Sequence, residues 1–513
     1  MSFTRRRFIG TGAALAGASV LPFAPARAAA KYRRYNSTGA DGSKMLDSYA
    51  TAVRAMLKLD PRDARNWFRN AFVHTIDCPH MNWWFFVWHR GYLGWFEQTV
   101  RELSQNQSFA FPYWDWSETN ATTKGYCIPD KMLSGVLTPL SEEFAPYISS
   151  FGKFHDYMNP ALEAYWATLS ADQMQALKIR KMDNLKALWV QVEKEMFATT
   201  PNARYLRTGN SCLDDKTQVA VSIDTVKVGL MAPNFDKFNS GKCPQHSGTG
   251  QTFGVLESQP HNLTHNNVGG VGHITSNYGF MADNLSPVDP LFFLHHANMD
   301  RLWDVWTRRM QFCKQPDLPD DPLYGSEKFM FYMNSAGKPV TQILAGSYTD
   351  MAQFGYDYEP GSGEDTVNQC NTKLLAAQAP NVKAAIKGGV AALALPGAAV
   401  APPAGHPVMA QVTIPYPSSA SAPRSFAILV NAPAGSTDTS TTSPNYAGTV
   451  SFFGFMPDMA GMPTTFNVPL TRVLPTLKAH AKNVTIQAVP IQAPGGPRVP
   501  QASSLRAAAV TVW

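Results

Sequence analysis

The sequence has few cysteines, little net charge and no long apolar run, and each scarcity excludes a class of protein. Six cysteines among 513 residues are too few for a disulfide-based scaffold. Four arginines lie in the first 28 residues, where there is no acid, which leaves 40 basic against 38 acidic residues in the rest. A nucleic-acid binder needs a concentrated basic surface, so this balance argues against one. The apolar stretch 388–400 is short and contains Pro396, so no membrane span is predicted.

Hydrophobic and aromatic side chains, in contrast, are plentiful. Hydrophobic residues make up 44% and charged residues 16% of the chain, which excludes wholesale disorder and allows a sizeable core. The length allows one large domain and a smaller one, or three small ones. Many of the aromatic residues cluster around histidines.

Residues 1–28 have the pattern of an export signal. Arginines at 5–7 precede a weakly apolar run from Thr11 to Phe23, and Ala26-Arg27-Ala28 matches a small-x-small cleavage site. This order is typical of a twin-arginine signal, and a basic amphipathic tail is the alternative. We therefore expect the mature protein in the periplasm or outside the cell.

Three zones of different composition follow the signal. Residues 29–370 contain long segments with helical periodicity. Residues 371–408 are rich in Ala, Gly and Pro and are predicted to be a linker. Residues 409–513 contain short segments rich in Val, Ile, Phe and Thr, separated by Pro, Gly and Ser, as in a β-sandwich. The predicted fold is a mainly α domain followed by a C-terminal β-sandwich domain.

Six of the twelve histidines fall into two groups with the spacing of metal ligands. His261 and His265 are four residues apart, so on a helix both face the same side. Adjacent residues on a helix diverge by about 100°, so only one of His295 and His296 is expected to join them. Asp300, one turn after His296, is expected to hold the far nitrogen of that ring.

The other group is formed by His74, His80 and His89. His74 is predicted at the end of one helix, His89 within the next, and His80 on the loop between them. A single histidine on an apolar helix is more often a core residue than a ligand, but two groups together favour ligation. Imidazole ligands suit copper or zinc, and six of them without a required carboxylate favour a dicopper centre.

The motifs that contain these histidines resemble the tyrosinase / polyphenol oxidase family of type 3 copper proteins. The motifs are His74…Cys78-Pro79-His80, Trp88-His89-Arg90 with Tyr92 and Glu97, Phe111-Pro112-Tyr113-Trp114-Asp115-Trp116, Glu257…Pro260-His261-Asn262…His265, and Asp289-Pro290-Leu291-Phe292…His295-His296…Asp300-Arg301-Leu302-Trp303. The resemblance implies a catalytic domain built as a four-helix bundle that holds two copper ions, with O2 as co-substrate.

The resemblance also implies which histidine holds which metal. The first copper would be bound by His74, His80 and His89, and the second by His261, His265 and His296. His296 is chosen over His295 because the family's ligand follows the phenylalanine at position 292 by one helical turn. Phe292 would then pack on the ligand rings above the second copper.

Cys78 stands two residues before His80. In fungal members of the family, this spacing carries a thioether bond between the cysteine sulfur and the histidine ring. A free buried thiol is the alternative. The remaining cysteines have no spacing that assigns their pairing: Cys127, Cys212, Cys243, Cys313 and Cys370.

Glu257 and Asn262 match a pair that the family links to holding a water near the coppers. That water is thought to help deprotonate an incoming phenol, so the pair favours monophenol hydroxylation in addition to catechol oxidation. The alternative is a charge at a helix N-terminus and a solvated amide.

Tyr356-Asp357-Tyr358 resembles the motif that closes the family's catalytic domain, and Arg33 or Arg34 could stack on it.

Residues 409–513 resemble, in pattern only, the C-terminal domain of latent fungal and plant enzymes, in which one side chain blocks the copper pocket. Here the candidates for a blocking side chain are Phe453, Phe455 and Met456. Met456, Met459 and Met462 also form an M-x-x-M-x-x-M run. Because thioethers prefer Cu(I), capture of cuprous ion is a second hypothesis for this loop, with core-filling methionines as the alternative.

The sequence thus predicts an exported tyrosinase that ortho-hydroxylates monophenols, oxidises o-diphenols to o-quinones, and stays latent until its C-terminal domain is displaced. A catechol oxidase without hydroxylase activity, a hemocyanin-like oxygen carrier and a zinc hydrolase are the alternatives. The expected partners are small phenols, and homo-oligomerisation stays open.

Overall fold

The computed structural model describes residues 30–120, 124–197, 203–275, 277–370, 381–387, 389–402, 405–419, 421–456, 459–495 and 505–513. The predicted signal at 1–28 lies outside the described residues. The α-helices are Ala40–Lys58 (α1), Trp67–Asp77 (α2), Phe85–Ser104 (α3), Ala145–Ile148 (α4), Phe151–Trp166 (α5), Ala171–Ile179 (α6), Leu185–Met196 (α7), Asp215–Val221 (α8), Ile223–Leu230 (α9), Phe235–Phe238 (α10), Asn262–Gly269 (α11), Leu291–Phe312 (α12), Pro322–Ser326 (α13), Gly397–Val400 (α14) and Leu474–Ala479 (α15). The strands are Tyr32–Arg34 (β1), Thr252–Phe253 (β2), Tyr356–Tyr358 (β3), Asn381–Lys383 (β4), Ala385–Lys387 (β5), Val390–Leu393 (β6), Val408–Pro415 (β7), Ser425–Val430 (β8), Tyr446–Ser451 (β9), Pro463–Pro469 (β10), Val484–Ile491 (β11) and Ala507–Val512 (β12). Of the described helices, none combines the length and the apolarity that crossing a membrane requires.

Four helices, α2, α3, α11 and α12, form the centre of the mainly α domain that the sequence predicts. Helix α2 begins after Asn66, whose side chain accepts hydrogen bonds from the first free amides of the helix. Helix α12 begins after Asp289, whose Oδ1 accepts from the amide of Leu291 at 2.9 Å. Every residue of α2 is buried, as expected for a helix that is enclosed by others. The four helices therefore enclose a site that is shielded from solvent.

The two ends of the helical domain are joined by a buried ionic cluster. Strand β1 pairs in parallel with β3, and the Arg34 guanidinium lies 3.6 Å from the ring centre of Tyr356. Arg34 also forms buried ion pairs with Glu97 at 2.9 Å and Asp300 at 3.2 Å. Arg33 lies at the surface, with half of its side chain exposed. Arg34 is therefore the arginine that stacks on the tyrosine motif.

The C-terminal β-sandwich is confirmed, but it begins earlier in the chain than predicted. Its sheets have the strand orders β2-β10-β7-β12-β4 and β5-β6-β11-β8-β9. Strands β4, β5 and β6 lie inside the range 371–408, so the prediction of a linker is wrong for residues 381–393. The Ala-rich composition concealed a strand of period two, in which Ala391 and Leu393 are buried. Strand β2 of the helical domain pairs in parallel with β10 and so joins the two domains.

Two disulfides connect segments that are distant in sequence. Cys127 bonds to Cys212, and Cys313 bonds to Cys370. The other two cysteines in the chain, Cys78 and Cys243, are free and buried. The sequence left this pairing open because spacing alone does not specify connectivity.

Candidate metal centre

The first histidine group lies where α2 ends and α3 begins. His74 is on the last turn of α2, His80 is on the loop, and His89 is on the second turn of α3. Their ring centres are 5.3 Å apart for His74 and His80, 5.7 Å for His74 and His89, and 5.9 Å for His80 and His89. The loop between the two helices thus brings three imidazoles together.

The second group is built from α11, the turn before it, and α12. A π-helical turn, Glu257–His261, carries His261 into α11, which carries His265. The ring centres of these two histidines are 4.5 Å apart. His296 on α12 completes the group, with its Nε2 atom 3.1 Å from the Nε2 atom of His265. His295 lies beside the same group of ligand atoms.

The two groups face each other across one buried centre. The rings of His89 and His296 are stacked, with ring centres 4.1 Å apart and planes 13° from parallel. His80 and His261 approach to 5.8 Å between ring centres. Phe292 packs against both groups, 4.1 Å from the ring centre of His296 and 5.0 Å from that of His74. Two adjacent metal sites of similar composition can therefore share one small ligand between them.

Backbone and side-chain oxygens hold the outer nitrogen of four of these rings. The Nδ1 contacts are His74 to Asn284 O at 2.7 Å, His89 to Phe85 O at 2.7 Å, His265 to Met281 O at 2.6 Å, and His261 to Asn262 Oδ1 at 2.8 Å. Because an oxygen accepts the Nδ1 proton, the neutral ring keeps its free lone pair on Nε2. The Nε2 atoms of His74 and His261 are buried and have no hydrogen-bond partner. The donor set therefore fits metal ions that accept imidazole nitrogen.

Burial keeps these imidazoles neutral. Desolvation is the main cause that lowers the pKa of His74 and of His261 to about 3. The pKa values of His89 and His296 are also lowered, first by burial and then by neighbouring histidines. A neutral imidazole is the form that binds a metal, so no proton has to be removed from these rings at neutral pH.

A hydrogen bond from Trp116 distinguishes the two adjacent histidines on α12. The Trp116 indole nitrogen, which can only donate, lies 3.0 Å from His295 Nδ1. His295 therefore accepts at Nδ1, and in its neutral form it carries its proton on Nε2. That tautomer has no lone pair left for a metal, so the contact favours His296 as the ligand.

Cys78 lies among the rings of the first group. Its sulfur is 3.7 Å from Nδ1 and 3.8 Å from Nε2 of His80, and 3.3 Å from Nε2 of His89. Burial raises the pKa of the Cys78 thiol. The sulfur is thus nearly equidistant from both nitrogens of His80, and it lies closer to Nε2 of His89.

Glu257 and Asn262 both lie beside the centre, with their polar atoms already engaged. Glu257 accepts a hydrogen bond from the amide of Met81 at 2.7 Å and another from the Ser240 hydroxyl. Burial raises the pKa of Glu257 to about 8. Asn262 holds His261 with its oxygen and donates its Nδ2 to the backbone oxygen of Ser451, at 2.6 Å. One polar side chain thus contacts both a histidine and the C-terminal domain.

The expectation that Asp300 holds the His296 ring is wrong. The Asp300 carboxylate accepts from Arg90 at 2.6 Å, from Arg34, and from the hydroxyls of Tyr356 and Tyr358. His296 Nδ1 is buried without a hydrogen-bond partner. The two arginines attract the carboxylate away from the neutral imidazole, because an ion pair in a buried site is the stronger interaction.

Of the three candidate blocking residues, Phe453 lies over the histidines. Its ring centre is 4.6 Å from those of His80 and His265, 5.7 Å from that of His261, and 6.2 Å from that of His74. Phe455 instead packs near Tyr416, and the amide of Met456 donates to the Tyr416 hydroxyl. Among the described residues, no aromatic contact joins Phe455 to a histidine of the centre.

The comparisons with known proteins agree with this arrangement. A family model described as "Tyrosinase: Common central domain of tyrosinase" matches residues 48–309, just over half of the chain. The chain belongs to the tyrosinase family. The matched range contains both histidine groups, and this family is a type 3 copper family.

Individual relatives within this family are distant in sequence. The latent form of a chloroplastic polyphenol oxidase from Prunus armeniaca is 26% identical over 363 residues, which cover 65% of this chain and 51% of that protein. Tyrosinase HcTyr1 from Hahella sp. (strain CCB-MM4) is 23% identical over 349 residues, or 61% of this chain and 60% of the relative. The chain thus spans about half the length of the curated relatives it matches.

Solved structures share the fold over nearly the whole chain. A latent aurone synthase (polyphenol oxidase) from a natural source superposes with a TM-score of 0.60 at 18% identity, covering 94% of this chain and 89% of that one. A functional unit of octopus hemocyanin has a TM-score of 0.51 at 17% identity, with 94% and 99% covered. Similarity at this level of identity shows a common fold.

The tyrosinase motifs did not reveal several residues that surround the centre. Trp116 belongs to the motif Phe111–Trp116, but nothing in the sequence indicates that it contacts His295. Asn266, which follows His265 as Asn262 follows His261, donates to Ser451 Oγ at 2.6 Å. The repeated His-Asn pair was the available signal for Asn266. Its partner lies 185 residues later in the chain, and no local pattern predicts such a contact.

Proposed function

We propose that this tyrosinase-family chain binds one copper ion at His74, His80 and His89 and a second at His261, His265 and His296. In this proposal it hydroxylates monophenols and oxidises o-diphenols to o-quinones with O2. The proposal rests mainly on four of these rings, those of His74, His89, His261 and His265, whose Nδ1 atoms contact oxygens so that the Nε2 lone pair is left for a metal. Copper would supply the redox chemistry toward O2, which no side chain of the site can provide.

The side chains of the site bind the metals, exclude water and move a proton. Phe292 and Phe453 enclose the imidazoles in an apolar surrounding. A carboxyl oxygen has two lone pairs, so Glu257 can accept from Met81 and Ser240 and still bind a water. With its raised pKa, Glu257 is suited to exchange a proton with such a water near neutral pH.

The C-terminal β-sandwich would act as an inhibitory lid, with Phe453 as the blocking side chain. The Phe453 ring occupies the space beside four histidines that an incoming phenol ring needs. In the same state one of the two N–H donors of the Asn262 side chain is bound to the backbone oxygen of Ser451 and is not available to a water. Displacement of the segment that carries Ser451 and Phe453 would therefore open the pocket and, at the same time, free the Asn262 donor.

The proposed export by the twin-arginine pathway has independent support. Disulfides persist in oxidising compartments such as the periplasm and the extracellular space. The chain forms two, Cys127–Cys212 and Cys313–Cys370.

The test uses the full-length, copper-loaded Phe453→Ala variant, in which the pocket is open. We expect it to consume O2 with both 4-methylphenol and 4-methylcatechol. Turnover of the catechol alone would reduce the function to that of a catechol oxidase. Oxygen binding without turnover of either compound would indicate a hemocyanin-like carrier, and failure to bind copper would overturn the proposal.

A further inference from the structure

A cavity of about 990 Å³ lies between the helical domain and the sandwich, next to the histidine centre. Its inner end is lined by Cys78 and His80. Its outer part is lined by several residues between Ile179 and Gln191, by Ser418, Ser419, Ser421 and Arg424, and by Phe455, Met456 and Met459. Phe453 does not line it, although its ring packs on His80. The cavity is therefore an antechamber that would join the phenol pocket once Phe453 moves aside.

Among the residues that the structure describes, the charged side chains that line this cavity are all positive. Arg180, Lys181 and Lys186 come from the helical domain, and Arg424 comes from the sandwich. None of the described lining residues is acidic. Asp283 is close to Arg424 but is fully buried in an ion pair with it, at 3.0 Å. The field in the cavity therefore favours an anion.

Arg180 is fixed at the inner part of the cavity by hydrogen bonds to the backbone. It follows α6 and donates to the backbone oxygens of Cys78 at 2.9 Å and Asp77 at 2.8 Å. These bonds attach it to the loop that carries His80. Its Nε atom is covered by protein atoms, so Arg180 acts on the cavity through its positive charge, for which a carboxylate is a preferred partner.

We propose that the cavity selects phenols that carry an anionic substituent, such as a carboxylate on a short chain opposite the hydroxyl group. The proposal rests on the proposed phenol oxidase function and specifies its substrate class. The phenol ring would lie at His80 in the space freed by Phe453, and the carboxylate would lie toward Arg180 with Lys181 and Lys186 behind it. Apolar side chains, among them Val190 and Met456, line the rest of the cavity.

The same charges argue against capture of cuprous ion by the methionine run. Met456 and Met459 line the cavity, whereas Met462 does not and is 36% exposed. A cation at these thioethers would share the cavity with four positive side chains. The two methionines are better suited to contact an aromatic ring, as thioethers commonly do.

The first test measures binding to the full-length Phe453→Ala protein by calorimetry without O2, using 3-(3,4-dihydroxyphenyl)propionate and its methyl ester. These ligands differ in the charge of the carboxyl group and in one methyl group. We expect the acid to bind about tenfold tighter than the ester at low salt, and this ratio to fall markedly at about 0.5 M salt. Lys181→Gln/Lys186→Gln should lower the ratio about threefold, since exposed charges act weakly one by one. Lys178→Gln, which lies at the end of α6 and outside the cavity, is the matched control and should not change the ratio.

The second test compares kcat/KM for the same two compounds in the Phe453→Ala protein. A higher value for the acid, reduced in the double lysine variant, is the expected result. Equal binding and equal turnover of acid and ester would overturn the charge selection while leaving the oxidase function in place. Absence of turnover for both compounds would count against the oxidase function, and the calorimetric ratio would still decide the charge selection.

Discussion

Asn262 connects His261 to the C-terminal domain. Its side-chain oxygen lies 2.8 Å from His261 Nδ1, and its side-chain nitrogen lies 2.6 Å from the backbone oxygen of Ser451. Asn266, four residues later, donates to the Ser451 hydroxyl and to the backbone oxygen of Phe452. The position of the sandwich against the helical domain and the orientation of the second histidine group are therefore linked through direct contacts.

The first prediction concerns the blocking residue. Replacing Phe453 by Ala removes the ring that contacts four histidines and should raise the basal turnover of 4-methylcatechol by at least tenfold in the full-length protein. Phe455→Ala removes a ring of the same size two residues away and should leave turnover low. Initial rates of O2 uptake provide the comparison. Equal rates for the two variants would show that Phe453 does not block the pocket.

The second prediction concerns the buried ion pair between the domains. Arg424 lies 3.0 Å from Asp283, and both side chains are almost fully buried. Arg424→Met leaves the Asp283 carboxylate without its partner, a loss that costs about 3–5 kcal/mol in buried pairs. This cost destabilises the state in which the sandwich is packed against the helical domain. We therefore expect higher basal turnover of 4-methylcatechol and a lower melting temperature.

The double variant Arg424→Met/Asp283→Leu is the control for this pair. It removes both charges and should recover most of the lost stability and latency. If the single variant is as stable and as latent as the wild type, the pair does not hold the domains together.

The third prediction concerns pH. Burial raises the pKa of Glu257 from 4.5 to about 8, so between these values the folded protein keeps a proton that the unfolded chain releases. The free energy of unfolding contributed by Glu257 must then fall as pH rises through this window, by at most about 1.4 kcal/mol per pH unit. Urea unfolding of copper-free wild type and Glu257→Gln isolates this contribution, because the surrounding histidines are common to both. A difference between the two proteins that is constant from about pH 5 to 9 would contradict the raised pKa.

The fourth prediction concerns Cys78. Its sulfur lies 3.7 and 3.8 Å from the two nitrogens of the His80 ring, so we expect a thioether in protein that has been loaded with copper and exposed to air. The peptide containing both residues should then be lighter by two hydrogen atoms, and Cys78 should resist alkylation after unfolding. Protein kept copper-free and anaerobic is the control and should show a reactive thiol.

Much of the centre could be predicted because its ligands lie in short motifs. The spacing of His261 and His265 fixes their common face on a helix, and the resemblance orders His74, His80 and His89 along two helices and a loop. Asp300 was wrongly assigned because local spacing cannot reveal that Arg34 and Arg90, which are distant in the chain, compete for its carboxylate.

The contacts between the domains could not be predicted, because they join segments without a shared local pattern. Arg424 and Asp283 are 141 residues apart, and neither lies in a recognisable motif. Strand β6 was missed for a different reason: its alanines are weak strand formers, and they become a strand by pairing with β11. From its composition alone such a segment is predicted to be a linker, because the strand that it pairs with lies elsewhere in the chain.

The account depends on two adjacent groups of imidazole nitrogens that hold two copper ions. The most direct test is metal analysis of the purified full-length protein, combined with its near-ultraviolet absorption spectrum before and after exposure of the reduced protein to O2. The account predicts two copper ions per chain and an absorption band that appears with O2 and disappears when O2 is removed. A single metal ion, bound zinc, or a spectrum that does not respond to O2 would contradict it.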